Sequence, residues 1–305
     1  MKAKLVTLRE AVERFVPDGA SVALGLQLES MIPFAAGHEI IRQGKRDLTL
    51  VGPISDILFD QMIGAGCVRR VMAAWVGNVM MGSAYNFRRA IEEGVPNRVE
   101  MIDHTNFTLA LALHAAALGV PFLPTHTAGG SDVAARNPDI TEFEAPFTGE
   151  TMRAVRAIVP DVTIVQAQRA DPAGNAHVWG NLGVLPDAVH AARRVIVIAE
   201  EIVPSRVLAS DPNRTVVPGF LVCAVAEVPC GAHPSPVQGC YNRDNAYYRE
   251  YHEATRTRAQ FEAWLHDWVM GPRDREAYLG RIGRARIDAL KVRKRAWSAR
   301  ADFGN

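Results

Sequence analysis

The stretch from Asp18 to Pro33 constrains the fold more than any other. An apolar run, Val22-Ala23-Leu24, stops at Gly25 and opens through Leu26, Gln27, Leu28, Glu29 and Ser30 toward Pro33 and the helix-period segment Phe34 to Arg42. Consecutive apolar positions suit a strand covered on both faces, and proline suits the first turn of a helix. In an open α/β sheet, ligands sit where strands hand over to helices at the carboxyl edge. The turn Gly25 to Ser30 is therefore where chemistry is expected.

The same alternation continues to about residue 125. Strands are predicted at Val22 to Gly25, Leu48 to Gly52, Arg70 to Val76, Val99 to Ile102 and Pro121 to Leu123. Helices are predicted at Leu8 to Phe15, Phe34 to Gln43, Asp56 to Ile63, Ala84 to Glu93 and Asn106 to Leu118, with Thr7, Ser55, Ser83 and Thr105 as caps for four of them. Such a pattern predicts an α/β fold: a doubly wound, mainly parallel sheet with right-handed crossovers. Between His126 and Glu150 the periodicity vanishes and a long functional loop is expected. Strands return at Val162 to Gln168, Arg194 to Ala199 and Cys223 to Val228, and helices fill the chain from about Asp244. The division expected is one α/β domain, 1–255, and a helical C-terminal extension, 256–305, packing on the domain or on a partner.

Composition narrows the function classes. In 305 residues, 34 Lys plus Arg balance 33 Asp plus Glu to a net charge of +1, so no global field draws the chain to nucleic acid or an anionic membrane. No apolar run approaches the roughly 18–20 residues that span a bilayer, and a cytoplasmic location is expected. Cys67, Cys223, Cys230 and Cys240 form no CxxC pair, and no His, Asp and Glu spacing suggests a metal site. Around Arg281 to Arg300 the chain is basic, with Ile282, Ile287, Leu290, Val292 and Trp297 near helical spacing; a solvated helix is expected there.

A parallel sheet brings loops distant in sequence to one edge. Candidate substrate-binding residues are Gly25, Gln27 and Ser30, then Gly52, Ser55, Trp75 and Asn78, and finally Gly129, Gly130 and Ser131. Glycines let a ligand approach the backbone, and helix N-termini favour anions. Each is equally an ordinary turn glycine, cap or core residue when taken singly. Glu29, Asp103 and His104 are the candidate catalytic groups: Glu29 as nucleophile, base or plain turn residue, and Asp103 with His104 as base and orienting group unless the neighbours point apart. Gln27 could donate to an oxyanion. His126 could face the crevice, and His233 reads as a loop hydrogen bonder.

The register of Asp18, Gly19, Val22 to Leu24, Gly25 and Pro33 resembles the first signature of the family I coenzyme A transferases, with Leu26, Gln27 and Met31 departing from Gly, Phe and Gly. Ala112 to Pro124, Gln168 to Asp171 with Gly174-Asn175, and Gly231-Ala232-His233-Pro234 resemble the glutaconate-type A subunits, so the likeness covers about residues 5 to 255. It implies the CoA-transferase (NagB-RpiA-like) fold, a coenzyme A thioester as substrate with no permanently bound cofactor, and partnership with a B subunit in a heterodimer or heterotetramer. It further implies that the nucleophilic glutamate, in a Ser-Glu-Asn-Gly motif absent from this chain, is the partner's. That glutamate would attack the thioester to form an acyl anhydride and then a glutamyl-CoA thioester, which passes CoA to an acceptor carboxylate.

Two alternatives remain open. One is a subunit of an acyl-CoA hydrolase of the ring-cleaving type, with Glu29 or Asp103 as the base for water. The other is a non-catalytic or sugar-phosphate-binding protein, disfavoured because the candidate loops carry no lysine. A Rossmann dehydrogenase is weaker still, since no GxGxxG follows the first strand.

Overall fold

The computed structural model describes residues 4–292; the part of the basic tail beyond, including Trp297, lies outside the described residues. Its main sheet contains β1 (Ser21–Ala23), β2 (Leu48–Val51), β3 (Val68–Ala73), β4 (Glu100–Asp103), β8 (Val162–Ala167), β11 (Val195–Ala199) and β13 (Val222–Glu227). Their order is β13-β11-β8-β1-β2-β3-β4 and every neighbouring pair is parallel. The chain winds outward from β1 to β4, then returns to place β8 against β1. That reversal makes β1 and β8 the switch point of the sheet.

Period-two alternation explains why both faces are buried. Val22, Leu24, Leu50, Ile164, Ile196 and Ile198 point into one core; Ala23, Val51, Val165, Val195, Val197 and Ala199 point into the other. The first core is covered by α1 (Leu8–Phe15), α2 (Phe34–Arg42) and α3 (Asp56–Gly64), the second by α5 (Asn106–Ala117) and α7 (Leu185–Ala191). Further helices are α4 (Tyr85–Glu92), α6 (Asp132–Arg136) and α8 (Ser205–Ala209). Thr7 and Thr105 cap their helices as expected, each within a capping box. Ser55 and Ser83 do not cap: Ser55 bonds elsewhere, and Ala84 is the residue that precedes α4.

The loop expected over 126–150 is a correction. It contains α6 and β6 (Ile140–Glu144), and β6 pairs antiparallel with β7 (Thr151–Arg156), which in turn pairs with β5 (Phe122–Thr125). The predicted strand at Pro121 to Leu123 thus belongs to a separate three-stranded sheet, not to the parallel one. A third sheet joins β9 (Arg169–Ala170), β10 (Ala176–His177) and β12 (Thr215–Val217), with Gly174 at φ +97° in the tight turn between the first two.

At the C-terminal end, α9 (Asn245–Ala254), α10 (Arg258–Leu265), a π-helical turn (His266–Met270), α11 (Arg275–Ile282) and α12 (Arg284–Leu290) follow one another. Tyr247, Tyr248, Phe261, Trp264, Tyr278 and Ile282 are buried in the first core with β1 and α2. Each fully buried large side chain contributes roughly 1.5–3 kcal/mol, which binds this segment to the sheet. Ile282 is buried and Ile287 packs against the same core, so the described part of the basic tail is half-buried rather than a free helix.

Candidate active site

At the carboxyl end of β1, Gly25 adopts φ +69°, and Gly52 lies beside it at the end of β2. The hydroxyl of Ser55 donates to the carbonyl of Leu24 at 2.9 Å. A Cβ on Gly25 would meet the Ser55 oxygen at 2.0 Å, and one on Gly52 would meet the Leu24 carbonyl at 2.3 Å. These three residues lock two strand ends together. Their glycine character answers to chain packing rather than to an open approach for a ligand.

The turn that follows folds inward. The Gln27 side chain is buried and its amide donates to the Asn181 carbonyl at 3.0 Å and the Met31 sulfur at 3.2 Å. Ser30 Oγ donates to the Gln27 carbonyl, and the Ser235 hydroxyl donates to the Glu29 carbonyl. The polar groups expected to face substrate here are engaged within the chain. Asn78 is likewise buried, donating to the Tyr248 carbonyl and accepting from the amides of Met80 and Met81. Trp75 folds over Gly77, where a Cβ would meet the indole at 2.2 Å.

Glu29 is the charged group of the turn. Its carboxylate accepts a hydrogen bond from Arg243 Nη1 at 2.8 Å, with the glutamate side chain 38% exposed and the arginine 3% exposed. Arg243 is fixed from below: Nε donates to Asn245 Oδ1 at 2.7 Å, Nη2 to the Met80 sulfur at 3.2 Å, and the guanidinium lies 5.9 Å from the centre of the Tyr248 ring. Beneath the pair sits Asp56, fully buried and at φ +50°, accepting from the amides of Ile57 and Val79. Burial, and then the Glu29 charge, push its carboxyl up to about 7 against those two bonds. Among the described residues neither Asp56 Oδ2 nor the Tyr248 hydroxyl has a hydrogen-bond partner; burial, and then the Asp56 charge, push the Tyr248 phenol well above its usual range.

Asp103 and His104 separate. Strand alternation at the end of β4 exposes Asp103 and buries His104, whose Nδ1 meets the Thr108 hydroxyl at 3.2 Å and whose Nε2 lies 3.4 Å from Asn137 Nδ2. Burial lowers its pKa to about 4, so the imidazole is neutral. The two form no base-and-orienter pair. Gly129, Gly130 and Ser131 lie beside the second sheet: a Cβ on Gly129 would meet the Arg153 guanidinium, Gly130 takes φ +73°, and the Ser131 hydroxyl donates to the Ala128 carbonyl. A shallow depression of about 490 Å³ adjoins Gly130, Ser131 and Arg153. His126 is exposed.

A second concavity, about 370 Å³, opens at the ends of β8, β11 and β13 beside Gln168, Trp179, Glu200, Cys230 and Tyr241. Burial pushes the Glu200 carboxyl up to about 7, although it accepts from the Tyr241 hydroxyl at 2.7 Å, Gln166 Nε2 at 2.8 Å and the Cys230 amide at 2.6 Å. His233 behaves as the loop hydrogen bonder expected: Nε2 donates to Asp244 at 3.0 Å and Nδ1 accepts from the Tyr278 hydroxyl at 2.9 Å. Sequence reasoning passed over Arg243, Asp56 and Glu200. Glu200 directly follows β11 and Asp56 opens α3 in the crossover after β2, so both could have been found there; nothing local marks Arg243.

Among the described residues no helix is long and apolar enough to cross a membrane. The family model described as coenzyme A transferase matches residues 5–228. The chain is 45% identical to the A chain of the 3-oxoadipate CoA-transferase of Pseudomonas knackmussii, over 92% of this chain and 98% of that one. It is 33% identical to the corresponding chain of the glutaconate CoA-transferase of Acidaminococcus fermentans, over 95% of each. The crystal structure of that organism's glutaconate coenzyme A-transferase superposes with a TM-score of 0.89, covering 95% of this chain and 96% of that one. A cholesterol ring-cleaving hydrolase subunit of Mycobacterium tuberculosis is 31% identical over 94% of this chain and all of that one.

Proposed function

Because this chain belongs to the coenzyme A transferase family, we propose that it is the A subunit of a heteromeric acyl-CoA:carboxylate CoA-transferase whose nucleophilic glutamate comes from a B subunit. One observation carries the division of labour. Glu29, the carboxylate of the signature turn, has one oxygen held by the buried Arg243 at 2.8 Å, and a carboxylate engaged by a guanidinium is a blunted nucleophile. The attacking oxygen is then supplied from outside the chain.

In this reading the chain builds the crevice wall. Gly25, Gly52, Ser55 and Asn78 fix the strand ends, Trp75 covers Gly77, and the exposed backbone at Gly129 and Gly130, beside Ser131, offers amides to the substrate. The neutral His104 and the exposed Asp103 flank the edge strand. A heterodimeric or heterotetrameric assembly, a cytoplasmic location and a helical extension over 256–305 belong to the same proposal.

Co-expression with the protein encoded beside it tests the proposal. The co-purified complex should exchange CoA between a thioester and a free carboxylate, and the isolated chain should not. Robust exchange by the chain alone would overturn it. The hydrolase relative favours a second reading in which Glu29 or Asp103 activates water; near-normal thioester hydrolysis in Glu29→Gln and Asp103→Asn complexes would rule that out.

A further inference from the structure

We propose that Asp56 is a positioning residue of this site: its carboxyl fastens the loop between β3 and α4 to the start of α3, and the proton it holds or releases sets how readily the turn at Glu29 admits an anionic substrate. The role rests on the transferase reading, in which the acceptor is a carboxylate.

Two crossovers of the carboxyl edge meet at this side chain. Asp56 is fully buried where the chain after β2 enters α3. Its Oδ1 accepts from the Ile57 amide of its own helix at 2.9 Å and from the Val79 amide of the loop after β3 at 3.1 Å. That loop also carries Asn78, which donates to the Tyr248 carbonyl at 3.0 Å, and Met80, whose sulfur accepts from Arg243 at 3.2 Å. Asp56 is held at φ +50°, a left-handed conformation that costs a side-chain-bearing residue energy and persists only where the surroundings impose it.

The other oxygen, Oδ2, has no hydrogen-bond partner among the described residues, and neither has the buried Tyr248 hydroxyl. A buried carboxylate oxygen without a donor favours the neutral acid, against the two amide bonds to Oδ1. The balance leaves the carboxyl at about 7, so the proton comes and goes across neutrality. The titratable and charged groups around it come from several elements. Glu29, in the turn after β1, raises it and Tyr248, on α9, lowers it; Arg243, ahead of α9, lies 5.9 Å from the centre of the Tyr248 ring; Asp60, one turn along α3, is engaged by Tyr251 and Asn86. Whatever these contribute, ionising Asp56 adds one negative charge beneath the turn that a carboxylate has to approach, and a buried charge is little screened by salt.

Steady-state kinetics of the co-purified complex across pH provide the test, with acetate, succinate and adipate as acceptors. The acceptor KM of the wild type divided by that of Asp56→Asn should be level below about pH 6 and rise about 4- to 16-fold by about pH 8, the order for two like charges about 10 Å apart at an effective dielectric of roughly 20–40. A merely structural Asp56 would separate the two curves by a constant factor. By linkage, acceptor binding near pH 7 should draw protons into the wild-type complex, seen as a buffer-dependent heat of binding that Asp56→Asn loses. Tyr248→Phe removes a group that favours the ionised form and should move the wild-type inflection to higher pH. The proposal fails if the KM ratio is constant with pH, or if wild type and Asp56→Asn take up protons equally. Should Asp56→Asn not assemble with its partner, an inflection unmoved in Tyr248→Phe would overturn it. A wild-type complex that exchanges CoA with none of the three acids would remove the transferase reading and this role with it.

Discussion

A Cβ atom on Gly25 would lie 2.0 Å from the hydroxyl oxygen of Ser55, the group that ties the end of β1 to the start of α3 through the Leu24 carbonyl. Replacing Gly25 by alanine has to move that hydroxyl or the Ser55 backbone, 2.9 Å from the same point, and forces a side chain into φ +69°. Gly25→Ala should lose about 2 kcal/mol or more, read as a lower urea midpoint at unchanged slope. A variant as stable as the wild type would show that the junction yields easily.

Asp56 makes stability depend on pH in an unusual direction. Burial raises its carboxyl to about 7 in the folded chain, above the unfolded value near 4. Between those values the folded state binds the extra proton, so this group's contribution falls as pH rises from about 4 to 7 and is level above. Asp56→Asn mimics the protonated acid and should gain on the wild type across that window, by up to roughly 4 kcal/mol at pH 8 relative to pH 4. Urea unfolding at the two pH values measures the difference; a constant one would refute the assignment.

His104 acts with the opposite sign. Burial holds its folded pKa at about 4, below the unfolded value near 6.5, so the unfolded chain binds more protons between them and stability drops as pH falls through that window. His104→Asn should soften acid unfolding. The stability of wild type minus variant should rise from pH 4 to 6.5 and then stay flat.

Asp244 ties the loop at His233 to α9 and α12. It accepts from His233, from Arg286 Nε at 2.6 Å and Nη2 at 2.9 Å, and from the Tyr247 amide that opens α9. Although burial opposes it, the bonds from His233 and Arg286 hold this carboxylate well below its usual range. Asp244→Asn should cost about 3–5 kcal/mol at neutral pH, the range for breaking a buried pair. That deficit should shrink in acid below the unfolded pKa, where the wild type loses the same interaction.

The parallel sheet was legible because its cause is local. Val22 to Leu24 and Val195 to Ala199 are uniformly apolar, and Leu48 to Val51 is apolar but for Thr49, as suits strands covered on both faces, and Thr7 and Thr105 mark helix starts by bonds that span three residues. Antiparallel β6, Ile-Thr-Glu-Phe-Glu, is short and mostly solvated, so its period was lost among the turn residues around it. The cation at the first turn was hidden for a related reason: lysine is absent from the edge loops, but Arg243 arrives from 214 residues away. Family membership, not missing charge, removes the sugar-phosphate-binding reading.

By itself the sequence determined the strands of the parallel sheet with most of the helices that cover them, and that Gly25 to Ser30 follows the carboxyl end of β1, since apolar periodicity and backbone freedom act within a few residues. Only the tertiary structure decided which polar groups on that edge stay available. Gln27, Ser30, Ser55 and Asn78 found partners inside the chain, and Glu29 found Arg243. Pairing of buried polar groups is a property of packed surfaces: a donor's partner is fixed by the elements that fold over it, and nothing in its own neighbourhood of the chain records that choice.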